Sequence, residues 1–84
     1  LSSFLIQGQA QIMEVVANSK MRLIGKPLKE LDLPKEILFV AIKRGDRVII
    51  PNGETTIKLN DRLTIFTLLS GLSKVEKLMK TKNR

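Results

Sequence analysis

The residues able to do chemistry in this 84-residue chain are few, since it has no cysteine, no histidine, no tryptophan and no tyrosine. The commonest general base, the thiolate nucleophile and the usual transition-metal ligands are therefore absent. Carboxylates remain. Asp46, Glu54 and Asp61 each stand beside a basic or turn-forming residue, and no pair has the Asp-x-Asp spacing of a calcium loop. Asp61 follows Asn60 and reads as a turn residue. Gly25-Lys26 has the end of a phosphate-loop pattern, but Pro27 stands where Ser or Thr belongs and the upstream glycine is missing. Arg44-Gly45-Asp46 has the letters of an integrin-binding loop. It sits between two apolar runs, where glycine supplies a hairpin turn, and no disulfide or leader pattern supports an extracellular ligand. No catalytic or metal-binding constellation emerges, and the chain reads as a non-enzyme without a cofactor of its own.

Charge is the next candidate for function. The formal net charge is +7, which raises a basic nucleic-acid-binding module as an alternative reading. Five of the cations, Lys74, Lys77, Lys80, Lys82 and Arg84, fall at the C-terminal end against Glu76 alone. The aromatics are Phe4, Phe39 and Phe66, and the last two lie inside apolar strand patterns. A single-strand binder needs aromatic platforms interleaved with its basic groove, so no nucleic-acid partner is expected. No apolar run approaches the ~20 residues of a membrane helix. The lack of cysteine suits a reducing compartment. Leu1 in place of methionine suggests a piece cut from a longer protein.

The elements that must position any site are short. Residues 1–10 give mixed signals and read as a linker or crossing segment. From Gln11 a strand begins, with Met13, Val15 and Ala17 on one face and Ile12, Glu14 and Val16 on the other. Pro27 is placed to open a helix of about two turns with Leu28 and Leu31 on one face, ended before Pro34. Ile37 to Lys43 is a continuous apolar run, the signature of a central strand covered on both faces. Arg44 to Arg47 turns the chain back through Val48-Ile49-Ile50. Thr55 to Leu59 and Arg62 to Leu69 read as two further strands around an Asn60-Asp61 turn. Ser73-x-x-Glu76 has the capping-box pattern ahead of a C-terminal helix carrying Val75, Leu78 and Met79.

Together these give an α+β fold, a small and mostly antiparallel sheet with one short helix after the first strand and a C-terminal helix. Residues 11–80 form the domain and 81–84 a basic tail. The Leu28/Leu31 helix and the Ile37–Ile42 strand should carry the core. Two short helices cannot cover so much apolar strand, and the surplus points to self-association with two-fold symmetry.

Read in order, Gly25-Lys26-Pro27-Leu28-x-Glu30-Leu31-x-Leu33-Pro34, then Val40-Ala41-Ile42-x-Arg44-Gly45-Asp46, then Ile49-Ile50-Pro51-x-Gly53-x-Thr55 and Asp61-Arg62-Leu63 resemble the TrkA-C family, the C-terminal lobes of regulators of potassium channels and transporters. The likeness runs from about Gln11 to Leu78. Glu36 stands where the family often has glycine, and Asn60 replaces the glycine of its Gly-Asp turn. The resemblance implies a ligand-sensing dimerisation domain in a homodimer or ring. It implies an N-terminal nucleotide-binding lobe, in cis or as a separate subunit, and a membrane potassium channel or transporter as partners. It also implies a cytoplasmic location at the membrane through that partner. Some members bind a small effector, a cyclic dinucleotide or a cation, between paired lobes. In this chain the corresponding loop runs from Leu33 to Leu38. Leu33, Pro34, Lys35, Ile37 and Leu38, bordered by Pro51, are the candidate ligand-binding residues, with Lys35 the only cation in the loop. A structural dimeriser without a ligand is the other alternative.

Overall fold

Apolar residues alternate with threonine and phenylalanine in the final strand, while the earlier strands carry apolar residues on both faces. The computed structural model describes residues 3–80. They form strands β1 (Ser3–Ile6), β2 (Ala10–Val16), β3 (Ile37–Arg44), β4 (Arg47–Ile49) and β5 (Arg62–Leu68), followed by helix α1 (Leu72–Leu78). The five strands make one antiparallel sheet in the order β1-β2-β5-β3-β4. The fold is α+β.

The central strand is β5, flanked by β2 and β3. Met13 lies opposite Ile65 and Val15 opposite Leu63, while Phe39 pairs with Ile65 and Ile42 with Leu63. These side chains share one face. Leu23, Ile42, Ile57, Leu63 and Ile65 are its most completely buried large side chains, with Met21, Leu28, Ile37, Phe39 and Val75 packed around them. What covers this face is mainly loop, the stretches 17–36 and 50–61, together with α1. Such loops stay ordered because backbone groups cross-pair: Leu28 N–H donates to Thr55 O (2.9 Å), Lys29 N–H to Gly53 O (2.9 Å) and Gly25 N–H to Ile57 O (2.8 Å). Gly71 lets the chain pass close over the sheet, since a Cβ there would stand 2.7 Å from Thr67 Oγ1 and 2.8 Å from Glu36 Cβ.

Among the described residues the opposite face has no such cover. Ile6, Val16, Leu38, Val40, Val48 and Leu68 are exposed on it. The continuous apolar run in β3 therefore has a different cause from the one expected. β3 is an interior strand, between β5 and β4, but it is covered on one face only. A register shift between Phe39 and Ala41 changes the alternation, so that Ile37, Phe39 and Ile42 are buried while Leu38 and Val40 face outward. A bulge adds a residue to one strand of a pair and leaves the following side chains on the opposite parity.

Four other expectations are corrected. Within the segment read as a linker, Ser3–Ile6 is an edge strand on β2, reached through a turn in which Gln7 and Gly8 both have positive φ. The two-turn helix is a single 3₁₀ turn, Leu28–Glu30, with Pro27 still extended before it. Asp32, at φ +56°, stops any continuation. Thr55 to Leu59 is no strand but one isolated bridge, Thr56 to Pro27, because its backbone groups are used by the loop 25–29. The capping box is not formed either. A 3₁₀ turn, Leu69–Gly71, feeds straight into α1, which starts at Leu72 without a side-chain cap. The Gly45-Asp46 hairpin turn is as expected, with Gly45 at φ +60°. The basic tail at 81–84 lies outside the described residues.

Candidate functional site

A groove of about 250 Å³ opens where the loops meet one end of the sheet. β4 pairs with β3 only from Ile42 to Arg44, so the first half of β3 keeps a free edge on that side. Against this edge lie Leu33, Pro51 and the Asn52-Gly53 turn, with Leu28 and Lys29 between them. The turn is built locally. Asn52 Oδ1 accepts from Glu54 N–H at 2.8 Å, and Thr55 Oγ1 accepts from Asn52 N–H at 2.9 Å. The Lys29 and Gly53 backbone bond then fixes the cation beside it. Lys29 Nζ reaches Glu54 Oε2 at 3.0 Å on the exposed rim, a pair of small energetic value that a ligand anion could displace.

Chemically, the groove offers apolar walls from Leu33, Ile37, Leu38 and Pro51, a strand edge whose outward backbone groups can pair, the Asn52 amide and one rim cation. That combination has the character of a non-covalent binding groove. Among the described residues no three His, Cys, Asp or Glu side chains gather as a metal site. Among the described residues no helix is long and apolar enough to cross a membrane.

Of the six candidate residues read from the sequence, Leu33, Ile37, Leu38 and Pro51 meet in this groove. Pro34 lines a different cavity, and Lys35 is exposed and lines neither. The groove's own cation, Lys29, was not foreseen, nor were Leu28, Phe39, Asn52 and Gly53. The Pro51-Asn52-Gly53 turn was legible as a turn. Its pairing with residues 27–29 depends on long-range backbone bonds that no local pattern carries.

Asp61 also does more than turn the chain. Its carboxylate is buried, 1% exposed, and accepts from Arg44 Nε at 2.8 Å and from a terminal guanidinium nitrogen at 2.7 Å. Lys58 N–H adds a third bond at 2.8 Å, and Arg44 also donates to Thr56 O at 2.9 Å. Burial works to raise the Asp61 carboxyl, but the Arg44 hydrogen bonds and the Lys58 N–H outweigh it and hold it below its ordinary value. The letters of the integrin-like motif thus include one end of a clasp that ties β3 to the 56–61 loop.

A five-stranded antiparallel sheet covered on one side by loops and a C-terminal helix defines a small α+β domain. The chain belongs to the TrkA-C domain family, whose profile matches residues 12–80. A Trk system potassium uptake protein TrkA homolog of Archaeoglobus fulgidus is 43% identical over 75 residues, covering 89% of this chain. The chain spans only 17% of that relative's length. Among solved structures, the RCK C domain of the potassium transport protein KtrA, in complex with cyclic diadenosine monophosphate (c-di-AMP), is 30% identical with a TM-score of 0.65, covering 79% of each chain. S. agalactiae BusR shares the fold at 17% identity and a TM-score of 0.68, covering 81% of this chain. It is known as an RCK_C dimer with c-di-AMP, of which the match covers 93%, and in a longer chain with its busAB-promotor DNA, of which it covers 35%.

Proposed function

We propose that this chain is the effector-sensing regulatory domain of a potassium uptake or channel system. In this reading it acts in the cytoplasm as a two-fold pair, without catalysis of its own, beside a nucleotide-binding lobe and a membrane subunit. The effector is a cyclic dinucleotide, held at the groove of Leu33, Ile37, Leu38 and Pro51 with Lys29 at its rim. One observation carries the proposal, that the 30%-identical KtrA domain is in complex with c-di-AMP; a second supports the site, since four of the six candidate residues line one groove. The uncovered sheet face supplies the apolar surface for pairing. Two copies related by a two-fold axis double each groove, which suits a two-fold symmetric ligand. An effector that fits one arrangement of the pair better than another shifts the equilibrium by its differential affinity.

Thermal unfolding with c-di-AMP tests this. Saturating ligand should stabilise the wild-type domain by about 2.7 kcal/mol at 100 times its Kd. Lys29→Glu should weaken binding about tenfold or more through the lost charge-assisted contact. Lys35→Glu reports whether the partner's loop closes over the groove, since one copy alone does not bring Lys35 to it. A folded dimer indifferent to c-di-AMP and to other cyclic dinucleotides would leave a structural dimeriser. The net charge of +7 keeps nucleic acid as a second reading, and a salt-dependent mobility shift with duplex DNA would favour it.

A further inference from the structure

The larger cavity, about 350 Å³, lies beyond the Leu28–Glu30 turn from the effector groove, and the regulatory reading makes no use of it. Three separate stretches of chain converge on it. The loop after β2 brings Arg22 and Lys26, the 3₁₀ turn and its exit bring Leu31 and Pro34, and α1 brings Lys74, Lys77 and Leu78. Four cations thus line one cavity, one of them, Lys74, already paired with Glu36, alongside two carboxylates, Glu30 and Asp32. Those two neutralise none of the four at ion-pair distance. The ion pairs of the described residues are Lys29–Glu54, Arg44–Asp61 and Lys74–Glu36, so Arg22, Lys26 and Lys77 have no carboxylate partner among them.

Arg22, Lys26 and Lys77 against Glu30 and Asp32 leave a small positive excess at the cavity, which an anion would relieve. Arg22 presents a planar fork matched to phosphate oxygens, while the lysines act as point charges. The floor is of a different character. Leu31, Pro34 and Leu78 are half-buried apolar side chains, which an inorganic anion on the rim would leave wet. A ligand using both parts carries phosphate at one end and a flat, weakly polar body at the other. We propose that this cavity binds a nucleoside phosphate, at a site distinct from the effector groove and independent of whether that groove is used.

Backbone amide NMR of the 84-residue chain, titrated with ADP and separately with pyrophosphate, decides this at about 0.15 M salt, where exposed charges are screened beyond about 8 Å. Saturable shifts with ADP should be confined to Arg22, Leu23, Lys26, Leu31, Lys77 and Leu78, and pyrophosphate should bind more weakly. The double variant Arg22→Glu/Lys77→Glu changes two exposed side chains, so its melting temperature should be preserved. Its ADP affinity should fall by about tenfold or more. Several results would overturn the site. Shifts could stay linear in ADP, spread equally to Lys20, Lys43 and Lys58, or survive in the double variant. Shifts at Leu33, Leu38 and Gly53 would place ADP in the effector groove instead, leaving that groove's reading intact and ending this one. Pyrophosphate binding as tightly as ADP would mean an inorganic-anion patch. Sedimentation with phosphatidylglycerol vesicles without any ADP response would assign the cations to a lipid surface, and also end the proposal.

Discussion

The two faces of the sheet are made from the same strands and have opposite fates. On β5, Leu63, Ile65 and Thr67 are fully buried, while Leu68, next in the chain, is 44% exposed. On β3, Phe39 is 6% exposed and its neighbour Leu38 59%. Composition does not separate the faces, because both carry Ile, Val, Leu and Phe. What separates them is that loops 17–36 and 50–61 and α1 all cross one side only. The covered face is thus the source of the domain's own stability, and the open face is surface available to a partner.

That contrast can be broken from its strong side first. Ile65→Ala removes a fully buried side chain at the centre of the sheet and should cost about 3–5 kcal/mol, a large part of a small domain's stability. Chemical denaturation measures it. A loss below about 1 kcal/mol would mean that the covered face is loosely packed.

The clasp that holds the covering loop comes next. Arg44→Ala leaves the Asp61 carboxylate buried and short of its partner, which should cost about 3 kcal/mol. The pH dependence follows from the lowered Asp61 value. A carboxyl lowered in the folded state contributes stability that is complete above its unfolded value of about 3.9. That contribution is lost as pH falls through the still lower folded value. Wild type should therefore lose stability in acid below about pH 4, and Asp61→Asn should flatten that part of the curve. An unchanged acid limb in Asp61→Asn would remove the clasp from the account.

The open face predicts the smallest effect on folding and the clearest effect on assembly. Val40→Lys places a charge on exposed strand surface and should change the stability of the single domain by about 0.5 kcal/mol or less. In sedimentation at about 100 μM, above typical micromolar interfaces, the wild type should be a dimer and Val40→Lys a monomer. If both are dimers, pairing uses another surface and the open face awaits a different neighbour.

How much of this could be read along the chain differs element by element. Met13, Val15 and Ala17 make one uniformly apolar face against a mixed Ile12, Glu14 and Val16 face, so β2 and the parity of its faces were legible, as were the β3–β4 hairpin at Gly45-Asp46 and the final strand. The weaker readings failed where a local pattern competed with a long-range bond. Thr55 to Leu59 has strand-like residues, yet its backbone pairs with the 25–29 loop. Pro27 to Leu31 has a helix-like start, yet Leu28 and Lys29 give their N–H groups to Thr55 and Gly53 and only a 3₁₀ turn remains. Leu33, Ile37, Leu38 and Pro51 could be proposed together because resemblance supplied the grouping, whereas Lys29 could not.

By itself, the sequence determined the fold class, the faces of β2, the hairpin turn and the absence of cysteine and histidine, because each depends on residue type and near-neighbour spacing. Tertiary structure alone decided which face of each strand is covered and that a bulge at Val40 shifts β3's alternation. It also decided that Arg44 reaches across to Asp61, and that the cations at 22, 26, 74 and 77 share one cavity. Those outcomes depend on contacts between residues far apart in the chain, whose geometry is set when the loops cross the sheet.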